Sequence, residues 1–199
     1  MHKKALLILA AVIVMGVTLL FVDFEHEAFP QYLTMTWGIP EEVTAFENLP
    51  REPQGEKIEM VEEGVLQVKW QVGGSYVLPI SSTSDQAVEG VRYLGSGIPD
   101  HLGVEWIDPR EKTWYPIDQI PEDKVKVIID DENGYHTVDF GPPEGADFGE
   151  DTTRLIWFRI TPTEAENFEF EIFGYQAEED DHNLVRVSNV LTLQAEIEQ

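Results

Sequence analysis

The chain of 199 residues contains no cysteine. This absence removes disulfide bonds, thiol chemistry and zinc or haem sites that rely on Cys ligands. It also excludes a lipoprotein anchor, which needs a lipidated Cys. Any stability of an exported domain must therefore come from its apolar core, and 42% hydrophobic residues are enough to build one.

Basic residues are scarce, with 13 Lys and Arg against 38 Asp and Glu. Residues 23–199 hold all 38 acids and 11 of the bases, which gives this part a net charge of −27. Nucleic acid is excluded as a partner, because it requires a basic surface. Anionic lipid headgroups and acidic polysaccharides are disfavoured for the same reason.

Two interpretations of the acidity remain open: a solvated surface suited to high salt, and divalent cation binding by clustered carboxylates. The acids are scattered along the chain rather than spaced as ligands, which favours the first interpretation. The densest clusters are Asp130 to Asn133, Asp147 to Asp151, and Glu178 to Asp181. Since none has the D-x-[DN]-x-[DN]-G spacing of a calcium loop, no metal ligand is assigned.

Enzyme motifs are also lacking: the sequence has no H-E-x-x-H, no G-x-S-x-G, no Walker loop and no G-x-G-x-x-G. The histidines are far apart in sequence and lie beside acids or in loops. With 38 acids, close carboxylate pairs arise by chance and do not indicate glycoside hydrolysis. We therefore predict a protein without catalytic residues and without a cofactor.

One long hydrophobic run is present, Ala5 to Val22, and it contains no charged residue. As a helix it spans about 27 Å, close to the roughly 30 Å hydrocarbon core of a bilayer. Lys3 and Lys4 precede it and acids follow it, so the positive-inside rule places residues 1–4 in the cytoplasm and the rest outside. We predict a single-pass anchor over 5–22. A cleaved signal peptide and a pilin-like helix remain alternatives, although no small-x-small cleavage site is found.

The next segment, residues 23–56, is predicted to be an extended arm punctuated by four prolines. It is too apolar for a free linker, and so it should lie on a surface: its own domain, the membrane interface or a partner protein. Tyr32, Trp37 and Phe46 are the residues we predict to contact a protein partner.

Residues 57–199 have the alternation of apolar and polar side chains typical of half-buried strands. Leu66 to Val72 and Tyr76 to Ile80 flank Gly73-Gly74, which predicts a hairpin. A second hairpin is predicted at Asn133-Gly134, and Gly141 to Thr153 is predicted to be a loop. Three long strands follow, at 154–160, 167–175 and 184–193. The pattern indicates an all-β fold, an antiparallel β-sandwich.

The run from Ile160 to Glu196 resembles the end of a fibronectin type III or related immunoglobulin-like domain. Such domains end in an aromatic F strand, a polar loop and a G strand, and Ser188, Asn189 and Thr192 match the start of that last strand. Phe168 stands where the family usually has its corner Tyr. The resemblance covers about a quarter of the chain and implies an immunoglobulin-like sandwich, without catalytic residues.

Trp114 and Tyr115 are the candidates for stacking on a sugar ring. The competing interpretation is that tryptophans such as Trp70, Trp106 and Trp157 point inward as core.

Together these patterns predict a membrane-anchored, extracytoplasmic binding or structural subunit of a cell-envelope or membrane-protein assembly. A surface filament or adhesion subunit is the first alternative. A carbohydrate-binding or hydrolytic surface domain is the second.

Overall fold

The computed structural model describes residues 31–132, 134–177 and 184–199. The predicted membrane anchor at 5–22 lies outside these residues. The regular elements of the described part are thirteen strands and one short 3-10 helix, η1. They are β1 Leu33–Trp37, β2 Lys57–Glu62, β3 Val65–Gln71, β4 Tyr76–Ser84, β5 Val88–Pro99, β6 Leu102–Asp108, β7 Thr113–Pro116, η1 Ile117–Gln119, β8 Lys126–Glu132, β9 Tyr135–Gly141, β10 Ala146–Phe148, β11 Thr153–Pro162, β12 Phe168–Ala177 and β13 Leu184–Glu198. Among the described residues, no helix has the length and apolar character needed to cross a membrane.

The thirteen strands form one continuous sheet that curls around a single apolar core, and its two parts are here called sheet A and sheet B. Sheet A has the order β7-β6-β11-β4-β1, and sheet B continues as β13-β12-β5-β9-β8 with β3, β2 and β10 alongside. The core takes Leu78, Ile80 and Ile160 from sheet A and Phe170 and Leu191 from sheet B. The all-β fold predicted from the alternation is therefore confirmed.

The pairing is mixed rather than purely antiparallel, which corrects the prediction. β13 runs parallel to β3 over seven residues, from Thr192 beside Val65 to Glu198 beside Gln71. The same edge of β13 meets β1 in parallel, with Leu33 beside Ser188. Parallel partners lie far apart in sequence, and so the local alternation could not reveal them.

Three local predictions have different outcomes. The hairpin at Asn133-Gly134 is confirmed, because β8 and β9 pair antiparallel on either side of it. The hairpin at Gly73-Gly74 is wrong: β3 pairs with β2 and β13, whereas β4 pairs with β1 and β11 in the other sheet. The predicted loop from Gly141 to Thr153 contains the short strand β10, which pairs with β5.

The two sheets join where β1 meets β13, and the Asn189 side chain completes this junction. Its Oδ1 accepts a hydrogen bond from the Met35 backbone N–H at 2.7 Å, and its Nδ2 donates to the Met35 carbonyl at 3.0 Å. The amide thus acts as the missing strand neighbour of Met35, whose side chain is buried. Backbone groups at this depth need such partners, because an unpaired one destabilises the fold.

Asn189→Ala should lower the free energy of unfolding by about 1–3 kcal/mol, since it leaves the N–H and C=O of Met35 without partners. Gln194→Ala is the matched control, because the Gln194 amide bonds only to exposed side chains of Gln67 and Glu169. We expect the control to change stability by less than about 0.5 kcal/mol. Urea unfolding measures both variants, and equal losses would contradict this role of Asn189.

Candidate functional site

The residues predicted to bind a partner through the arm pack mostly on the chain's own sandwich. Trp37 is only 7% exposed and donates its Nε1–H to the Gly64 carbonyl at 2.9 Å. Tyr32 is half-buried against the main core and bonds through its backbone to Val187. We predicted three surfaces on which the arm could lie. Residues 32–54 pack on the first of these, their own domain, and within them β1 is a strand of sheet A.

After β1 the chain turns outward at Gly38, which has φ +87, and covers the outer face of sheet A. This covering segment, residues 38–54, builds a second apolar layer with Ile39 over Trp157 and Ile107. Trp157 is therefore buried as expected, but beneath the covering segment and not in the main core. Its Nε1–H donates to the Pro50 carbonyl at 2.9 Å.

Among the aromatic residues of the arm that the structure describes, Phe46 stays accessible, with 44% of its surface exposed. Its ring meets the Trp157 ring edge to face at 5.8 Å between centroids. A single exposed ring of this kind is a contact point at most.

Trp114 and Tyr115 do not form one sugar-stacking surface, because neighbouring strand residues point to opposite faces of a sheet. Trp114 packs on the covered outer layer, and the Arg159 guanidinium lies 4.5 Å from its ring centre. Tyr115 packs on the main core and stacks on Trp106 at 6.4 Å. Both rings already have protein partners on a face that a sugar would need.

A cleft of about 600 Å³ opens at one end of the sandwich. It lies between the β6–β7 turn of sheet A and the β9–β10 connection of sheet B. Tyr93, Trp106 and Phe140 line it from the core, and charged side chains surround its mouth: Asp108, Arg110, Glu111, Asp123, Lys124 and Arg154. These six charges cancel, in a chain whose net charge is −25.

Lys124 organises the mouth of this cleft. Its Nζ lies 2.8 Å from Asp108 Oδ2 and 2.5 Å from Glu111 Oε1. Tyr115 donates its hydroxyl to Glu111 Oε2 at 3.0 Å. The two carboxylates are thus held together by one ammonium group.

The pKa values follow from these contacts. Burial by itself would raise the pKa of Asp108, but Lys124 and the backbone N–H groups of Arg110 and Glu111 outweigh it and lower that pKa. Hydrogen bonds from Lys124 and Tyr115 lower the pKa of Glu111. The two carboxylates in turn raise the pKa of Lys124.

This arrangement is unsuited to acid–base catalysis. A glycosidase needs one carboxylic acid that keeps its proton near neutral pH, and therefore a raised pKa. Asp108 and Glu111 have lowered pKa values and are tied to Lys124. The cleft therefore offers no support for the hydrolytic alternative, and its ion pairs hold the two sheets together at this end.

The Tyr93 hydroxyl lies at the inner wall of the cleft. It is buried, as is the Ser82 hydroxyl close to it. Burial raises the pKa of Tyr93 to about 12, while Ser82 and Arg154 act in the opposite direction. The phenol is neutral over the whole physiological range.

Strand β2 is the feature that sequence reasoning missed. All six of its residues are exposed, and Ile58, Met60 and Val61 are 42%, 50% and 44% accessible. Within the described residues β2 pairs with β3 alone, so its other edge has free backbone groups. An exposed apolar edge of this kind is a site where another strand can add. The alternation of KIEMVE is a weak signal for it, because alternation does not show whether a strand lies at an edge.

Ile58 and Met60 continue the core face of sheet B past its last buried strand. They stand opposite Val68 and Leu66 of β3, both of which are buried. Glu59 lies on the other face, opposite Gln67. A strand added beside β2 would thus find Ile58 and Met60 on one face, and Glu59 with its ion-pair partner Lys57 on the other.

The sequence matches no family model and no curated protein. Among solved structures it is similar to a cohesin module of a Clostridium perfringens family 33 glycoside hydrolase, with 11% identity, a TM-score of 0.41, and coverage of 84% of this chain and 99% of that one. A CARDB domain from Pyrococcus furiosus has 10% identity and a TM-score of 0.35, with coverage of 84% and 96%. The collagen-binding subdomain ACE19 of the Enterococcus faecalis surface protein ACE has 10% identity and a TM-score of 0.32, with coverage of 63% and 92%. TM-scores this low support no argument about function.

Lys124→Met should destabilise the protein at neutral pH, and the difference from the wild type should shrink in acid. A carboxyl whose pKa is lowered by folding stabilises the folded state above its unfolded pKa, about 3.9 for Asp and 4.3 for Glu, and loses this effect as the pH falls through its folded value. Asp108 and Glu111 are of this kind. Urea midpoints at neutral pH and below about pH 4 measure the difference.

Lys112→Met is the matched control, because Lys112 is exposed and its substitution removes the same positive charge. The control should show a smaller loss at neutral pH. A loss for Lys124→Met that equals the control, or that stays constant down to low pH, would contradict the role given to Lys124.

Proposed function

We propose that this chain is a non-catalytic binding subunit of a cell-envelope or membrane-protein assembly, which adds a strand of a partner protein to β2. Residues 5–22 anchor it in the membrane with residues 1–4 in the cytoplasm, and the sandwich works outside. The observation that carries the proposal is the exposed edge of β2, on which three large apolar side chains are 42–50% exposed.

The chemistry of the edge defines the partner. An added strand gains backbone hydrogen bonds from β2 and can pack apolar side chains on Ile58 and Met60. Two acids, Glu59 and Glu62, lie on this strand against one base, Lys57, whose Nζ is 3.4 Å from Glu59 Oε2. Cross-strand pairs of opposite charge stabilise a ladder, so the remaining acid favours a basic partner. The favoured partner is therefore an extended segment in which apolar residues alternate with Lys or Arg.

Net charge favours a different protein over a second copy of this chain. Each copy carries −25, and like charges repel unless they are separated by more than the Debye length, about 8 Å at physiological ionic strength. Self-assembly into a filament, the first alternative, has to overcome this repulsion at the contact.

Two further features support a binding role. The aromatic candidates Trp114 and Tyr115 are engaged within the protein, and the cleft carboxylates are paired with Lys124.

We assign the sandwich to the immunoglobulin-like class on the antiparallel β12–β13 pair, which corresponds to the F and G strands of the family resemblance.

Met60→Lys or Ile58→Lys should separate the subunit from its assembly. A Lys on an edge strand opposes strand addition, and here it also repels a basic partner. Ile128→Lys on β8 is the matched control: Ile128 is 49% exposed on a strand at the other end of the sheet order.

The measurement is the native mass of the full chain after extraction of its own membranes in mild detergent. Wild type and Ile128→Lys should sediment as a complex with a second protein, and the β2 variants as the 22.6 kDa chain in its micelle. A wild type that sediments alone contradicts the proposal. A complex made only of this chain replaces it with the filament alternative.

A further inference from the structure

Two turns lie side by side at the end of the sandwich where β5 passes into β6 and β11 into β12. The last pair of the β6–β11 ladder is Leu102 beside Pro162. His101 directly precedes this pair on one strand, and the loop from Thr163 to Asn167 follows it on the other. Side chains that are more than sixty residues apart in sequence are thereby brought together.

Three of these side chains form a cluster: His101, Glu164 and Glu166. One imidazole nitrogen and one oxygen from each carboxylate lie within 4.8 Å of one another. Both glutamates are exposed, whereas His101 is half-buried. Neutral imidazole and carboxylate are both ligands of divalent transition metals.

The His101 Nε2 atom provides an independent observation. It is buried, and no hydrogen-bond partner for it is found in the part of the chain that the structure describes. An imidazole nitrogen without a partner away from water is uncommon, because desolvation without a hydrogen bond destabilises the folded protein. A metal ion coordinated by Nε2 supplies the partner that this nitrogen lacks.

The backbone holds the ligands in place from both ends of the loop. Thr163 donates its N–H and its hydroxyl to the His101 carbonyl, at 3.3 Å and 2.6 Å. At the far end, the Asn167 side chain accepts the Ile197 N–H at 2.9 Å. Glu164 and Glu166 lie between these two fixed points, and a preorganised loop loses less entropy when it binds an ion.

We propose that His101, Glu164 and Glu166 bind a divalent transition metal ion, with Zn²⁺ as the best match to one nitrogen and two oxygen ligands. The ion neutralises two like charges in a chain of net charge −25 and ties the β5–β6 turn to the β11–β12 loop. Three protein ligands leave a coordination position for water or for a ligand atom of another molecule. This site is independent of the β2 edge.

Zn²⁺ titration of the metal-free full chain in mild detergent, followed by calorimetry, tests the site. We expect one Zn²⁺ per chain, a higher unfolding temperature with the metal, and a d–d absorption band when Co²⁺ replaces Zn²⁺. His101→Asn, Glu164→Gln and Glu166→Gln should each weaken binding by about tenfold or more, since even the loss of an outer partner of a metal ligand costs 10–100-fold.

Glu47→Gln is the matched control, because Glu47 is an exposed loop acid outside the cluster. It should leave Zn²⁺ affinity unchanged. The unfolding temperature of each metal-free variant shows that a loss of binding is not a loss of folding. Absence of saturable binding, unchanged affinity in His101→Asn, or equal affinity for Ca²⁺ would assign bound ions to the diffuse acidic surface and overturn the proposal.

Discussion

The sandwich depends on one strand edge that is shared by two sheets. β13 pairs with β12 along one side, while its other side meets β1 at Ser188 and β3 from Thr192 onward. Asn189 lies between these two contacts and bonds to the backbone of Met35. Since β1 belongs to sheet A and β3 to sheet B, this edge determines how the two sheets close around their common core.

The same junction explains the position of the β2 edge and of the covering segment. Because β3 takes the second half of the β13 edge, β2 is left as the outermost strand, with Ile58 and Met60 beyond the buried core. β1 takes the first half of the β13 edge. After β1 the chain leaves sheet A at Gly38 and crosses the outer face of sheet A before it reaches β2. The covering segment buries Trp157 on the way, and its one aromatic side chain, Phe46, remains well exposed.

Local patterns predicted the elements better than their partners. In β12 the alternation of Phe168, Phe170 and Ile172 with glutamates correctly indicated one buried face, and Asn133-Gly134 correctly indicated a hairpin. Gly73-Gly74 indicated a turn, but a turn does not specify whether the chain returns to the same sheet. Residues 33–37 also alternate between buried and exposed, yet the surrounding prolines suggested an extended arm and not a strand of the sheet.

The candidate sites were harder to predict for the same reason. His101, Glu164 and Glu166 have no characteristic spacing, since a ladder pair and not a motif brings them together. Lys124, Asp108 and Glu111 meet because η1 carries the chain from sheet A to sheet B. The sequence did show which kinds of partner and metal site to exclude. Its 38 acids disfavour anionic partners, and the lack of cysteine excludes thiolate metal ligands.

Amide hydrogen exchange of the full chain in its native membranes, compared with the purified protein, tests the central claim most directly. In the purified protein, β2 amides that point away from β3 should exchange rapidly, because they lack a hydrogen-bonded partner. In the membrane they should be protected, while the amides of β8 exchange alike in both samples. Equally rapid exchange of β2 in the two samples would show that no strand is added there and would contradict the account.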